Sequence, residues 1–286
     1  MISIQTNVAA LYGLQNLQKT QNQEQNTIEQ MTSGYRINTA ADDPAGLAQA
    51  NQLRNMGAVL NQGVMNGNNA VGQLQIIDGG LGNISQILDR LQTLATEGAS
   101  STFTGNFTTL ANEFANDVTE INRQAANIGL SSGGNFNAAL TVYVGGGLGN
   151  SNGNVIGTPT ETINLSGTAN AADMNGLGLT SYTAASNLSN AANFQAAITI
   201  VAAAVTALGN VQGTVGAGIN QINFAVSLAQ SQITNYAGAQ SQLRDANMAQ
   251  AATNLSQQQV LMQSSMAALA QANQIPQSVL KLLQSL

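Results

Sequence analysis

The chain has 286 residues, only 7% of them charged, and it contains no histidine, cysteine or tryptophan. Without imidazole or thiol side chains it cannot build a Ser-His-Asp or Cys-His nucleophile, a thiolate or imidazole metal site, or a disulfide. Seven basic against 13 acidic residues give a net charge of −6, which argues against nucleic acid as a partner, because phosphate binding needs clustered cations. The polarity comes from Asn and Gln, about a quarter of the chain.

The sequence carries no recognisable targeting segment. Its start, Met1 to Thr6, lacks the basic stretch and apolar run of a secretory signal. No uninterrupted run of about 18 apolar residues is present, so we expect no membrane-spanning segment and no membrane partner. These rules taken alone predict a cytoplasmic protein. Amide-rich chains are often disordered, but here the aliphatic residues recur at helical spacing.

A first helix is predicted near the N-terminus by apolar residues that recur in steps of three and four. Gln21 and Glu24 weaken the middle of this stripe, so the helix needs a partner to be stable. Ser33-Gly34 ends it. The predicted a/d seam consists of Leu14, Leu17, Gln21, Glu24, Ile28, Met31 and Tyr35.

A connector over residues 33–46 precedes the second helix. Asp43 followed by Pro44 predicts a helix start, with Asp as the N-cap and Pro at the first helical position. Two readings of the connector stay open. It is either an assembly contact, in which Arg36 pairs with Asp42 or Asp43 of this chain or of a neighbour, or a solvated turn.

Helical periodicity continues from Pro44 to about Glu97 and in a shorter helix from Phe107 to Ile121. Residues 131–180 are rich in Gly, Ser, Asn and Thr, and β-like runs at 140–144, 162–165 and 177–180 predict hairpins. Helical spacing returns from about Ala191. The last predicted seam consists of Met248, Ala252, Leu255, Gln259, Met262, Met266, Leu269 and Asn273, with Ile275-Pro276 expected to interrupt the helix.

The predicted fold is mainly α. Both termini form a long antiparallel helical bundle or coiled coil, and a small β-hairpin-rich insert lies in the middle. Helices too weak to stand alone most simply pair with each other. Because their faces are poor in charge and rich in amides, side-by-side packing with copies of the same chain would bury them.

Four segments at the two ends resemble bacterial flagellin. Ile4-Gln5-Thr6-Asn7 resembles the opening of the family, and Met31 to Gly46 (MTSGYRINTAADDPAG) resembles its N-terminal motif. Ser241 to Ala249 (SQLRDANMA) and Leu269 to Leu283 (LAQANQIPQSVLKLL) resemble its C-terminal motifs. The resemblance covers roughly residues 1–130 and 190–286.

The resemblance implies a structural, non-enzymatic subunit of the extracellular flagellar filament, without cofactors. It implies an inner terminal coiled-coil domain of residues 1–43 and 246–286, a helical rod domain of 44–130 and 190–245, and a surface insert of 131–189. It also implies unfolded export by the flagellar type III system, which reverses the cytoplasmic prediction. An export chaperone at the C-terminal helix and hook-junction and cap proteins are the implied partners besides the chain itself.

The segment around Asp89 to Ala95 resembles the part of flagellin that a Toll-like receptor senses. Arg90 and Leu94 match that motif, and Glu113 matches the acidic position on the neighbouring helix. Gln92 and Thr93 depart from the motif. The resemblance therefore implies a receptor contact at the matching residues, while packing is their expected primary role.

The sequence leaves alternatives to the filament subunit. The hook–filament junction protein is the alternative within the family, and a non-polymerising adhesin or coiled-coil binder is a further one. A zinc-protease insert needs His-Glu-x-x-His, and the chain has no histidine. Glu113, Asp117 and Glu120 share one helix face. We expect this face to be solvated rather than to form a metal or acid–base site.

Overall fold

The computed structural model describes residues 7–145, 148–149, 155–156, 160–167 and 170–284. Residues 4–6 of the opening motif lie outside this description, as do the side chains of the closing motif beyond Gln274. Five α-helices and four short strands lie within the described residues. They are α1 Val8–Ser33, α2 Pro44–Ala99, α3 Phe107–Asn127, β1 Ala139–Tyr143, β2 Leu148–Gly149, β3 Val155–Ile156, β4 Thr160–Asn164, α4 Ala191–Arg244 and α5 Met248–Gln284.

The mainly α architecture predicted from the sequence is confirmed, as are most helix ends. The side chain of Asn7 accepts a hydrogen bond from the N–H of Ala10 at 3.1 Å and caps α1. Gly34 ends the same helix in the left-handed conformation, with φ at 74°. Pro44 is the first residue of α2, as the Asp43-Pro44 pair predicts.

The first of two compact units joins Met1–Asn55 with Asn235–Leu286. In it, α1 packs along α5 in the antiparallel direction. Asn7 Nδ2 donates to the carbonyl of Ala272 at 2.8 Å at one end of the pair, and Tyr35 forms a β-bridge with Asp245 at the other. The two terminal helices therefore pair with each other between the Asn7–Ala272 contact and the Tyr35–Asp245 bridge.

The second unit, Met56–Thr234, holds the larger apolar core. Its aromatic centre brings together Phe114 and Phe194, both fully buried, with ring centroids 6.5 Å apart. Tyr182 packs edge-on against Phe114 at 5.8 Å. The α2, α3 and α4 side chains that complete the core include Leu74, Ile77, Leu81, Ile84, Leu88, Leu91, Val118, Ile121, Val201, Leu208, Val211 and Ile222.

The runs at 140–144 and 162–165, where the sequence predicts hairpins, fall on the antiparallel strands β1 and β4, which pair with Leu140 opposite Ile163. It approaches α2 closely at Gly63, where an added Cβ would lie 1.7 Å from the carbonyl oxygen of Val144. The prediction of a third β-strand at 177–180 is wrong. Asp173 turns the chain there by accepting from the N–H of Gly176 at 2.8 Å, and this turn buries Leu177.

One further expectation differs from the structure. The α5 helix is not interrupted at Pro276 but continues to Gln284. The α4 helix contains an 18-residue window of mean hydropathy 1.7, enough by length and composition to cross a membrane. A third of that window is buried inside the protein, and the buried side chains of Phe194, Val201 and Leu208 recur at helical spacing, as in a core helix.

Candidate assembly surface

Two chain segments pair through backbone hydrogen bonds where α1 ends and α5 begins. We call residues 34–37 and 243–246 the clasp. The N–H of Arg36 donates to the carbonyl of Arg244 at 2.6 Å, and the N–H of Ala246 donates to the carbonyl of Gly34 at 2.9 Å. Arg36 Nη2 also donates to the carbonyl of Leu243 at 2.8 Å. The motifs at the two ends of the chain thus meet in one site.

Asp42 and Asp43 organise the connector beside the clasp. Asp42 accepts from the N–H groups of Thr39 and Asn38, at 2.9 and 3.1 Å, and these bonds lower the pKa of its carboxyl group. Asp43 accepts from the N–H of Gly46 at 2.9 Å and caps α2. Among the described residues Arg36 pairs with neither carboxylate, because its guanidinium is bound to a backbone carbonyl.

The seam between α1 and α5 is more polar than predicted. Thr20 and Thr27 are 8% and 6% exposed, and each hydroxyl donates to a carbonyl of its own helix. Buried or half-buried residues of α1 recur at Gly13, Leu17, Thr20, Glu24, Thr27 and Met31. Those of α5 recur at Ala251, Leu255, Gln258, Met262, Ser265, Leu269 and Ala272.

Alternate positions of both predicted seams therefore face outward. Leu17, Met31, Leu255, Met262 and Leu269 lie on the pairing side, partly buried. Leu14, Ile28, Met248 and Met266 are exposed instead, and so are four aliphatic residues that the sequence prediction missed. We call the exposed group the outer apolar set, whose members are 44–64% exposed: Val8, Leu11, Leu14, Ile28, Met248, Val260, Leu261 and Met266.

The second unit holds the residues matched to the receptor motif. Arg90 and Glu113 form an exposed ion pair between α2 and α3. Leu94 is 1% exposed, so its side chain is not available to a partner in this structure.

Acidic residues on α3 differ in their surroundings. Burial raises the pKa of Asp117, with Glu113 adding repulsion. Arg123 and Gln124 lower the pKa of Glu120 to about 2 by hydrogen bonding. Within the described ranges, no group of three or more acidic side chains is gathered as a metal site.

Comparisons with known proteins decide the family. The N-terminal helical region of bacterial flagellin matches residues 4–139, and its C-terminal helical region matches residues 198–283. The chain belongs to the flagellin family. The family resemblance drawn from the terminal motifs is confirmed, and membership makes the chain a structural subunit of the extracellular flagellar filament, which polymerises with its own copies.

Relatives extend over nearly the whole chain. Flagellin of Halalkalibacterium halodurans is 28% identical over 98% of this chain and 99% of its own length. Flagellin FlaB2 of Treponema pallidum is 26% identical and flagellin of Bacillus subtilis 27% identical, each with the same coverage. The crystal structure of Bacillus cereus flagellin matches 62% of this chain and 94% of its own at 23% identity, with a TM-score of 0.42.

Proposed function

We propose that this chain assembles into the filament through the outer apolar set, together with Arg36 of the clasp and the neighbouring Asp42 and Asp43. The proposal rests on the different polarity of the buried and exposed faces of the terminal helices. The face turned inward buries two threonines, while eight large apolar side chains stay about half exposed. Covering each of them contributes about 1 kcal/mol, by the usual relation between buried apolar area and free energy.

The proposed domain organisation follows the resemblance. Residues 1–43 and 246–286 form the inner domain, 44–130 and 190–245 the rod domain, and 131–189 the outer surface. The first assignment is supported by the pairing of α1 with α5 within one compact unit.

We further propose export in unfolded form through the flagellar type III system. A polar seam makes the terminal helices marginal until neighbours add burial, so they can stay unfolded before assembly. An export chaperone would bind the C-terminal helix at Met262, Met266 and Leu269, whose flexible apolar side chains suit a groove.

Other partners belong to the same proposal. Hook-junction and cap proteins would meet the ends of the filament. The Toll-like receptor that senses flagellin would contact Arg90 and Glu113, since Leu94 is buried. The alternative within the family is the hook–filament junction protein, which would form short terminal structures rather than long filaments.

Assembly of the purified protein tests the proposal. We expect regular filaments by negative-stain electron microscopy at raised concentration. Leu14→Ser should raise the critical concentration in sedimentation assays. Tyr143→Ser, at a similarly exposed site on the insert, should not. Absence of filaments, or equal effects of both variants, would contradict the proposal.

A further inference from the structure

The glycines of the long helices α2 and α4 fall into two groups by their surroundings. In the first group, a Cβ added to the glycine would meet another part of the chain. At Gly63, Gly67 and Gly80 it would lie 1.7, 2.5 and 2.3 Å from the nearest atom, so packing requires glycine there. In the second group, the open glycines, the added Cβ would have no described packing neighbour within 4 Å: Gly57, Gly72, Gly79, Gly82, Gly209, Gly213, Gly216 and Gly238.

Open glycines weaken a helix without a compensating contact in this chain. Glycine loses more backbone freedom on folding than any other residue, and alanine would fit at these positions without a clash. In a helix interior, each glycine lowers the folding equilibrium constant by about two- to fivefold relative to alanine. The eight open glycines together therefore make α2 and α4 much weaker than their length and core allow.

The placement of the open glycines differs between the helices. They lie in the helices that carry the apolar core, and Leu74, Leu81 and Ile84 of α2 are fully buried. By contrast, α3 and α5 contain no glycine, and the one glycine of α1, Gly13, faces Leu269. Helices with a full apolar core are thus weakened by glycine, whereas the terminal pair is weakened by its polar seam.

We propose that the open glycines are a conformational device that lowers the stability of α2 and α4, so that the folded subunit can be unfolded for export. This inference rests on the proposed function, because it extends the need for unfolding from the terminal helices to the rod domain. Alanine at the same positions would keep the fold and the core but would make the subunit harder to unfold.

Four alanine substitutions combined in one chain test this inference. Gly57→Ala, Gly72→Ala, Gly79→Ala and Gly209→Ala should together raise the folding equilibrium constant of the purified monomer by roughly 20-fold or more. Urea unfolding followed by circular dichroism measures this change. Gln73→Ala, exposed and next to Gly72, is the control and should change the constant by about twofold or less, since glutamine already favours helix.

Export and assembly of the four-alanine variant supply the decisive readouts. We expect several-fold less of it outside the cells of the bacterium that produces this chain, with the remainder retained inside, while the Gln73→Ala control is exported normally. Immunoblots of the medium, the sheared filaments and the cells measure the distribution. The purified variant should assemble with a critical concentration within about twofold of the unmodified chain, because the open glycines act on unfolding and not on contacts.

Three results would overturn the inference and leave the proposed function intact. The first is normal export of a variant that is measurably more stable, and the second is unchanged stability. The third is a critical concentration raised by about tenfold or more, which would mean that a neighbouring copy approaches these glycines closely. If the unmodified chain leaves cells that lack the type III apparatus equally well, the proposed export itself is wrong.

Discussion

The guanidinium carbon of Arg244 lies 4.1 Å from the centre of the Tyr35 ring, and Nε of the same side chain donates to the carbonyl of Ile37 at 3.3 Å. These contacts join segments that are about 200 residues apart in the chain. A cation over an aromatic face contributes about 0.5–2 kcal/mol, depending on its exposure to solvent. The clasp therefore fixes one end of a helix pair whose seam is polar.

Removing the ring should loosen the clasp. We expect Tyr35→Leu to lower the free energy of unfolding by about 1 kcal/mol and to speed amide exchange at residues 35–37 and 244–246. Tyr35→Phe keeps the aromatic face and serves as the control. Equal exchange rates in the two variants would show that the ring contributes nothing.

The start of α2 depends on a glycine. A Cβ at Gly46 would lie 2.4 Å from Oδ2 of Asp43, so Gly46→Ala should disturb the cap and destabilise the protein by about 1–2 kcal/mol. Gly57→Ala, in the same helix with open space around it, should stabilise by about 0.5–1 kcal/mol. Urea unfolding followed by circular dichroism measures both, and shifts of the same sign would refute the explanation.

The buried threonines should limit the stability of the terminal helix pair. Thr27→Val removes a buried hydroxyl and should raise the free energy of unfolding by about 0.5–1 kcal/mol. Thr32→Val removes a similarly bonded hydroxyl at an exposed position and should have a smaller effect. Destabilisation by Thr27→Val would mean that the hydroxyl bond to Gln23 supports the pair.

Capping and helix-breaking residues predict most helix ends correctly, but they do not predict which face of α1 packs against α5. Caps and breakers act within a few residues, so Gly34, Asp43 and Pro44 could be assigned from sequence. The predicted and observed seams of α1 share Leu17, Glu24 and Met31, and the predicted one added Leu14 and Ile28 because they are apolar. In the structure Gly13 instead faces Leu269, and a Cβ added at Gly13 would lie 3.1 Å from the Leu269 side chain. This orientation of α1 also turns Thr20 and Thr27 toward α5.

The residues that we propose for assembly were only partly predictable for the same reason. Hydropathy marks apolar positions, but it does not say whether this chain or another copy covers them. Leu94 illustrates the opposite case, because the family motif marks it while the core of this chain buries it.

Asp117 and Glu120 should affect stability in opposite directions. The raised pKa of Asp117 means that its ionised form disfavours folding, so Asp117→Asn should stabilise at pH 7, and the gain should vanish below the unfolded pKa near 4.

The lowered pKa of Glu120 gives stability that is present above about pH 4.5 and lost as pH falls toward 2. Glu120→Gln should therefore destabilise at pH 7. Urea midpoints at pH 7 and pH 3 test both signs.

Contacts between copies through the outer apolar set can be seen in a cryo-electron microscopy reconstruction of the filament. We expect Leu14, Ile28 and Met266 to lie in van der Waals contact with neighbouring subunits. If these side chains face solvent in the filament, the proposed role of the outer apolar set is wrong.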